Sequence, residues 1–103
     1  MSTPAVQVAM IEWEEGRRRL ESLDVPPRQE RVIRRVVDEI VAELERRLGQ
    51  VYSLAELVRV YDESTAWCLD IAQLTTEHVW AHDLSIVQDA AFARFARNAS
   101  DYR

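Results

Sequence analysis

Apolar residues recur at helical spacing along most of this chain. The clearest run lies between Pro27 and Leu48, where the apolar positions are Val32, Ile33, Val36, Val37, Ile40, Val41, Leu44 and Leu48. These positions follow the 3.6-residue period of an α-helix and do not alternate with a period of two, so a helix is favoured over a strand. The stripe is wide enough to predict contacts with two neighbouring helices.

Prolines and a glycine mark the ends of the first two predicted helices. Pro26 and Pro27 end the preceding helix and favour the start of the next, because proline restricts the residue before it and fits the first helical position. Gly49 stands where helices commonly end in a left-handed residue. These signals predict helices over residues 6–23 and 27–48.

Two capping boxes, each a serine followed three residues later by Glu or Gln, open the later helices: Ser53 with Glu56, and Ser85 with Gln88. They predict a third helix over residues 53–81 and a fourth over residues 85–99. Residues 62–65 are the expected place for any break in the third helix, because all four are middling or poor helix formers. The fourth helix is expected to bury one apolar face, made of Val87, Ala91, Phe92, Phe95 and Ala96.

Four helices with short connections predict an all-α antiparallel bundle in one domain over residues 1–103. The third helix should be the longest and carries two adjoining stripes: Leu54, Val58, Tyr61, Thr65, Cys68 and Ala72 in one, and Leu57, Val60, Ser64, Trp67, Ile71 and Leu74 in the other. Two stripes need more cover than a chain of 103 residues readily supplies. We therefore expect a homodimer that buries part of the third or the second helix.

The distribution of charge adds the strongest functional signal. The formal net charge is -5, yet basic and acidic side chains are concentrated in different segments. Seven arginines lie within residues 17–35 beside only three acids, Glu21, Asp24 and Glu30. Residues 60–93 hold two histidines and no other basic side chain, against six acids: Asp62, Glu63, Asp70, Glu77, Asp83 and Asp89. Such a layout bears on partners and assembly rather than on fold.

The arginine-rich segment is the predicted docking surface. Its centre consists of Arg28, Arg31 and Arg35, and its remaining residues are Arg17, Arg18 and Arg19. The first three share a helix face that points away from the apolar stripe and should be exposed. Helix stability does not favour basic residues in the first turns, where the macrodipole prefers acids. The competing interpretation is local pairing with neighbouring acids, namely Glu14, Glu15, Glu30, Asp38 and Glu39.

No motif in the chain fixes an enzymatic chemistry or a cofactor, because glycine-rich phosphate loops and a nucleophile elbow are absent. His78 and His82 lie four residues apart and could bind a metal from one helix face, but a closed site needs three or four protein ligands. Glu39 and Glu43 come nearest to the carboxylate spacing of magnesium-dependent nucleotide pyrophosphatases. Ion pairs with arginines four residues away explain these two acids better.

The chain is expected to be a bacterial cytoplasmic protein. Its first residues show neither a basic segment nor a long apolar stretch, and no stretch approaches the roughly 18 apolar residues of a membrane span. The single cysteine, Cys68, fits a reducing compartment. Arginine in place of lysine, together with abundant Val and Ala, suggests a GC-rich bacterial genome.

The sequence therefore favours a non-enzymatic interaction or regulatory module that binds an acidic protein, or a second copy of itself, through its arginines. A nucleic-acid-associated protein that uses the same arginines is the first alternative. It is less favoured because no aromatic residues are interleaved with the basic ones. A small metal-dependent nucleotide hydrolase is the second alternative.

Overall fold

The computed structural model describes residues 3–75 and 84–102. Within these ranges it contains four α-helices and no strand: α1 Pro4–Ser22, α2 Pro27–Leu48, α3 Leu54–Thr75 and α4 Leu84–Ala96. The predicted all-α bundle is confirmed. α1 begins earlier than predicted because Thr3 caps it, its hydroxyl accepting a hydrogen bond from the Val6 N–H at 3.3 Å.

The two predicted capping boxes have different outcomes. The Ser53 hydroxyl accepts from the Glu56 N–H at 3.2 Å, and Glu56 Oε1 accepts from the Ser53 N–H at 3.3 Å, so this box is confirmed. The prediction that Ser85 opens the fourth helix is wrong, because α4 already begins before it. The Gln88 side chain is buried instead and donates to the Ser64 hydroxyl of α3 at 2.6 Å.

α3 is continuous through residues 62–65. It has 22 residues up to Thr75, as many as α2, and its predicted continuation to residue 81 lies outside the described residues. The buried face of α3 runs between the two predicted stripes and consists of Leu54, Leu57, Ser64, Cys68 and Ala72. Beside this face Val58, Val60, Tyr61 and Trp67 are half-buried, whereas Thr65 is exposed.

α4 is the centre of the bundle. It packs most extensively on α1 and also on α2 and α3, whereas α1 and α2 do not pack on each other. Nine of its 13 residues are buried. The expectation of a single apolar face on this helix was therefore too narrow, since Ala90 and Ala93, outside that face, are buried as well. Small side chains let neighbouring helices approach α4 from several sides.

α1 and α4 approach each other closely at Gly16. A Cβ atom at position 16 would lie 2.4 Å from the Cβ of Asp89 in α4, so any side chain there would displace one of the helices. The same approach places Asp89 against α3, where the Tyr61 hydroxyl donates to its Oδ1 at 2.5 Å. Asp89 is thus a half-buried carboxylate between three helices.

Stability should depend on pH through Asp89. Burial raises the pKa of this carboxyl above its ordinary value of 3.8, the hydrogen bond from Tyr61 acts in the opposite direction, and the charge of Glu12 raises the pKa further. Because the folded pKa is higher than the unfolded one, ionised Asp89 costs stability at neutral pH. That cost disappears as the pH falls through the raised pKa.

Urea unfolding of the wild type and of Asp89→Asn at a series of pH values checks this expectation. The wild type should gain stability relative to the variant as the pH falls from 7 towards 3.8. The difference in the free energy of unfolding between the two proteins cancels the contribution from carboxylates that titrate alike in both. If the difference in stability stays constant with pH, or if the variant becomes relatively more stable at low pH, the pKa of Asp89 is not raised in the folded protein.

The segment after α4 folds back onto the loop between α2 and α3. The Tyr52 ring stacks on Phe95 with centroids 4.2 Å apart, and its hydroxyl donates to the Phe95 carbonyl at 2.5 Å. The Ser100 N–H donates to the Tyr52 carbonyl at 2.9 Å. Asp101 Oδ1 accepts from the Leu54 N–H at 2.8 Å, so the segment caps α3 from outside.

None of the helices in the described parts of the chain combines the length and the apolar character needed to cross a lipid bilayer.

Candidate docking surface

The first half of α2 presents the three central arginines of the predicted surface to solvent. Arg28, Arg31 and Arg35 are all exposed. The opposite face of α2 is buried and consists of Ile33, Val36, Val37, Ile40 and Leu44. The expected orientation of the arginines is therefore confirmed, because the apolar stripe fixes how the helix is rotated.

Ion pairing divides the arginines into two classes. Seven of them contact a carboxylate: Arg17, Arg19, Arg34, Arg46, Arg47, Arg94 and Arg97. Among the described residues, five arginines form no ion pair: Arg18, Arg28, Arg31, Arg35 and Arg59. Three of these five therefore share one face of α2. We call Arg28, Arg31 and Arg35 the arginine row.

Two of the acids nearest the arginine row bind other arginines, and a third, Glu39, forms no ion pair. Glu30 binds Arg34 at 3.0 Å. Asp38 binds Arg94 of α4 at 2.6 Å and does not bind Arg34, four residues before it. The predicted pair of Arg35 with Glu39 is not formed. The structure thus weakens the interpretation that local pairing neutralises this face.

The predicted extension onto α1 is mostly neutralised. Arg17 binds Glu14 at 2.9 Å and Glu21 at 2.8 Å, and Arg19 binds Glu15 at 2.9 Å. Glu14 and Arg18 are four residues apart, a spacing that predicts an ion pair, but Glu14 binds Arg17 instead. Arg18 is exposed and is the only α1 arginine of the described residues that lacks an ion pair.

A groove of about 680 Å³ separates the two arginine-bearing helix ends. It exists because α1 and α2 both pack on α4 and not on each other. Apolar residues from α1, the connection at 23–26 and α2 line it: Leu20, Leu23, Val25, Ile33 and Val37. Its charged lining residues are Glu21, Asp24, Glu30, Arg34, Asp38 and Arg94. We call this cavity the α1–α2 groove.

Sequence reasoning missed the α1–α2 groove, although one signal pointed to it. Leu23 and Val25 are apolar residues in a four-residue connection between two helices, where polar residues are usual. Both side chains are half-buried. Arg94 could not have been assigned to this site from sequence, because its position depends on where α4 packs.

The acidic segment is only partly available as a complementary surface. Asp62, Glu63 and Asp70 are exposed on α3. Glu63 lies 3.9 Å from Arg47, and Asp89 is held by Tyr61. The remaining two acids of the segment, Glu77 and Asp83, lie outside the described residues.

The weak metal candidates gain no support from the described geometry. His78 and His82 lie outside the described residues. Glu43 accepts hydrogen bonds from Arg46 and Arg47, and the bond from Arg46 is the main cause that lowers the pKa of its carboxyl. Residues 3–75 and 84–102 contain no group of three or more His, Cys, Asp or Glu side chains placed to hold a metal ion.

Cys68 is placed as a core residue. Its thiol is fully buried, and burial raises its pKa to about 12. Since the thiolate is the reactive form of cysteine, this side chain behaves as a small apolar group at neutral pH.

The surface as a whole can bind by charge and by shape. Each guanidinium of the arginine row can fork onto a carboxylate or a phosphate, and the α1–α2 groove, on another side of α2, can accept apolar groups. Comparison of the chain with protein-family models, with curated proteins and with solved structures gave no match.

Proposed function

We propose that this chain is a non-enzymatic interaction module of the bacterial cytoplasm that docks an acidic protein onto the arginine row. One observation carries the proposal. Arg28, Arg31 and Arg35 are exposed on one helix face without an ion pair to any described carboxylate, whereas seven other arginines are paired. The unpaired charge is concentrated where a partner can reach it.

Folding alone gives no reason for this arrangement. Like charges three and four residues apart on a helix destabilise it by roughly 0.2–0.5 kcal/mol per pair. The row also lies in the half of α2 where the macrodipole favours acids. An acidic surface would replace this repulsion with charge-assisted hydrogen bonds and would speed the encounter. Arginine suits the task because its charge is permanent and its donors are arranged as a fork.

A second copy of the chain is one acidic partner of the right kind. Asp62 and Asp70 are exposed on α3 and form no ion pair with any described arginine. The half-buried apolar edge of α3, which includes Val60 and Trp67, would supply the apolar part of such a homodimer. Association with itself and association with another protein use the same arginine row, so one set of variants tests both.

Replacing Arg28, Arg31 and Arg35 with glutamine should abolish association while leaving the fold intact. The three side chains are exposed and unpaired, so helicity and melting temperature should stay close to those of the wild type. Binding is measured by affinity capture from the source cell with mass spectrometry. Light scattering of the purified protein, whose monomer has a mass of 12.0 kDa, measures self-association.

A variant with the same change in charge at other positions controls for net charge. Arg46→Gln, Arg59→Gln and Arg97→Gln together remove three exposed arginines away from the row, and this protein should associate like the wild type. If the row variant unfolds, the arginines have a structural role. If it captures the same proteins as the wild type, the row is an ordinary solvated face and the proposal is wrong.

Nucleic-acid binding is an outcome that the same proteins can reveal. A row of three arginines on duplex DNA should give a plot of log affinity against log salt with a slope of about -3, because each neutralised phosphate contributes roughly -0.9. Fluorescence anisotropy with labelled duplex and single-stranded DNA measures this slope. Tight binding with that slope, lost in the row variant, would replace the protein partner by a nucleic acid.

A further inference from the structure

Another groove lies between α1 and α3, which have the least extensive packing of the helix pairs in contact. Its volume of about 450 Å³ is within the range of roughly 300–1,000 Å³ that is usual for binding sites. Apolar residues of both helices line it together with two acids: Pro4, Ala5, Val8 and Glu12 of α1, and Val58 and Asp62 of α3. We call this cavity the α1–α3 groove.

The outer surface of α1 changes character along the helix. After Ile11 its exposed residues are all polar or charged, as is usual on the solvent side of a surface helix. Between Pro4 and Ile11, in contrast, four of the five exposed residues are apolar: Pro4, Ala5, Val8 and Ile11. Val8 is 56% exposed, and Ile11, one turn later, is 65% exposed. The α1–α3 groove is therefore continuous with an uncovered apolar strip on α1.

Folding does not require Val8 and Ile11. Neither side chain belongs to the buried core or to the half-buried residues packed against it, whereas Val58 on the other side of the groove does pack on the core. Glutamine is a better helix former than valine or isoleucine at an exposed position. The two apolar side chains are thus available to a partner at no benefit to the isolated bundle.

The charge of the α1–α3 groove is negative. Glu12 and Asp62 are exposed and form no ion pair with any described residue, and no basic side chain is among the described lining residues. Asp89, half-buried close to Glu12, also lacks an arginine partner and is held only by Tyr61. A basic occupant is attracted to this groove, and an acidic one is repelled.

The two acids lie at the same end of the α1–α3 groove. Glu12 is the last lining residue of α1 and Asp62 the last of α3, and both helices run antiparallel to α4. Pro4 marks the opposite, apolar end, about 12 Å from Glu12 along the helix. The groove thus offers apolar contacts at one end and carboxylates at the other.

We infer that the α1–α3 groove and the strip formed by Val8 and Ile11 bind a basic amphipathic segment of another protein. Leu-, Ile- or Phe-like side chains of that segment cover Val8 and Ile11, and its Arg or Lys side chains bind Glu12 and Asp62. This is the helix-in-groove mode of recognition. The inference does not depend on the arginine row, and it gives the chain a second surface of opposite charge.

The experiment lets the protein select its own ligand. A phage-displayed library of random peptides of about 15 residues, or four helical turns, is selected on the immobilised wild-type chain. The counter-target is the apolar variant, Val8→Gln with Ile11→Gln. The enriched peptides should combine Arg or Lys with apolar residues three or four positions apart. Fluorescence anisotropy should show at least about tenfold weaker binding to the apolar variant, because two apolar side chains no longer leave water in the complex.

The matched control removes two exposed apolar side chains elsewhere. Val51 is 81% exposed and Tyr102 37% exposed, and neither lines the α1–α3 groove. The protein with Val51→Gln and Tyr102→Gln should bind the selected peptides like the wild type. Circular dichroism and the melting temperature verify that each variant is folded. Acidic or uncharged peptides, no enriched sequence at all, or equal affinity for the apolar variant and this control would overturn the inference.

A second pair of variants tests the charge of the groove independently. Glu12→Gln with Asp62→Asn should bind the selected peptides about threefold to tenfold more weakly, since exposed ion pairs are each worth only about 0–1 kcal/mol. Glu39→Gln with Asp70→Asn removes the same two charges from exposed, unpaired acids outside the groove and should leave the affinity unchanged. Equal affinity for these two variants would show that the groove acids do not bind the basic residues.

Two further measurements decide which surface and which partner are involved. The triple glutamine variant of the arginine row should bind the selected peptides as tightly as the wild type, and weaker binding would overturn their assignment to the α1–α3 groove. Light scattering of the wild type and of the apolar variant then tests for a second copy. Self-association of the wild type that the apolar variant loses would make this chain its own occupant, and the assignment to another protein would be wrong.

Discussion

Trp13→Ala should lower the free energy of unfolding by about 3–5 kcal/mol, the usual cost of truncating a buried large aromatic side chain. Trp13 is 0% exposed and lies at the centre of an aromatic cluster. Its ring centroid is 5.6 Å from that of Tyr61 and 5.5 Å from that of Phe92, so one side chain joins α1, α3 and α4. Urea unfolding followed by circular dichroism measures the loss.

Trp67→Ala is the matched control for this prediction. Trp67 is half-buried, and its ring lies 5.0 Å from the guanidinium carbon of Arg47. Its truncation should cost clearly less than that of Trp13, because less of the side chain leaves water on folding. Neither indole N–H has a hydrogen-bond partner in the described part of the chain, so that factor is equal in both. Similar losses of unfolding free energy for both variants would contradict the placement of Trp13 in the core and of Trp67 at its edge.

Gly16→Val should lower the free energy of unfolding by about 3 kcal/mol, at the upper end of overpacking costs. The new Cβ would lie 2.4 Å from the Cβ of Asp89, which is held in place by its own helix. The helices that would have to separate are α1 and α4, the pair with the most extensive packing in the bundle. Urea unfolding at pH 7 measures the change.

Gly16→Ala tests the same contact through the sign of the effect. Helix propensity alone predicts that alanine stabilises this position by roughly 1 kcal/mol. The contact with Asp89 predicts a net loss. A variant more stable than the wild type would show that α1 and α4 can separate easily. Gly49→Ala is the comparison, because position 49 has open space around it and a φ of 74°, so its cost comes from the backbone alone.

The helices were predictable because their signals are local. Pro27, Gly49 and the Ser53–Glu56 box act within a few residues, and α2 begins and ends where they predict. The box at Ser85 failed because it competes with a tertiary contact, the burial of Gln88 against Ser64. A sequence pattern does not show which of two hydrogen bonds wins when one of them depends on a residue 24 positions away.

The candidate surface was predictable in orientation but not in detail. The apolar stripe of α2 determines which arginines face solvent, so Arg28, Arg31 and Arg35 could be chosen from spacing alone. Spacing alone does not show that Asp38 pairs with Arg94 of another helix and not with an arginine of α2. The α1–α2 groove depends on two consecutive helices that do not touch, and this follows from the central position of α4.

The contact between Asp101 and the start of α3 has a consequence for the order of folding. The first turn of α3 is supported by a local hydrogen bond from the Ser53–Glu56 box and by a bond from Asp101, 47 residues away in the chain. The local bond closes a loop of a few residues and is available early. The distant one must overcome a larger loss of chain entropy and forms only after α4 has docked. The same turn therefore reports both an early and a late event of folding.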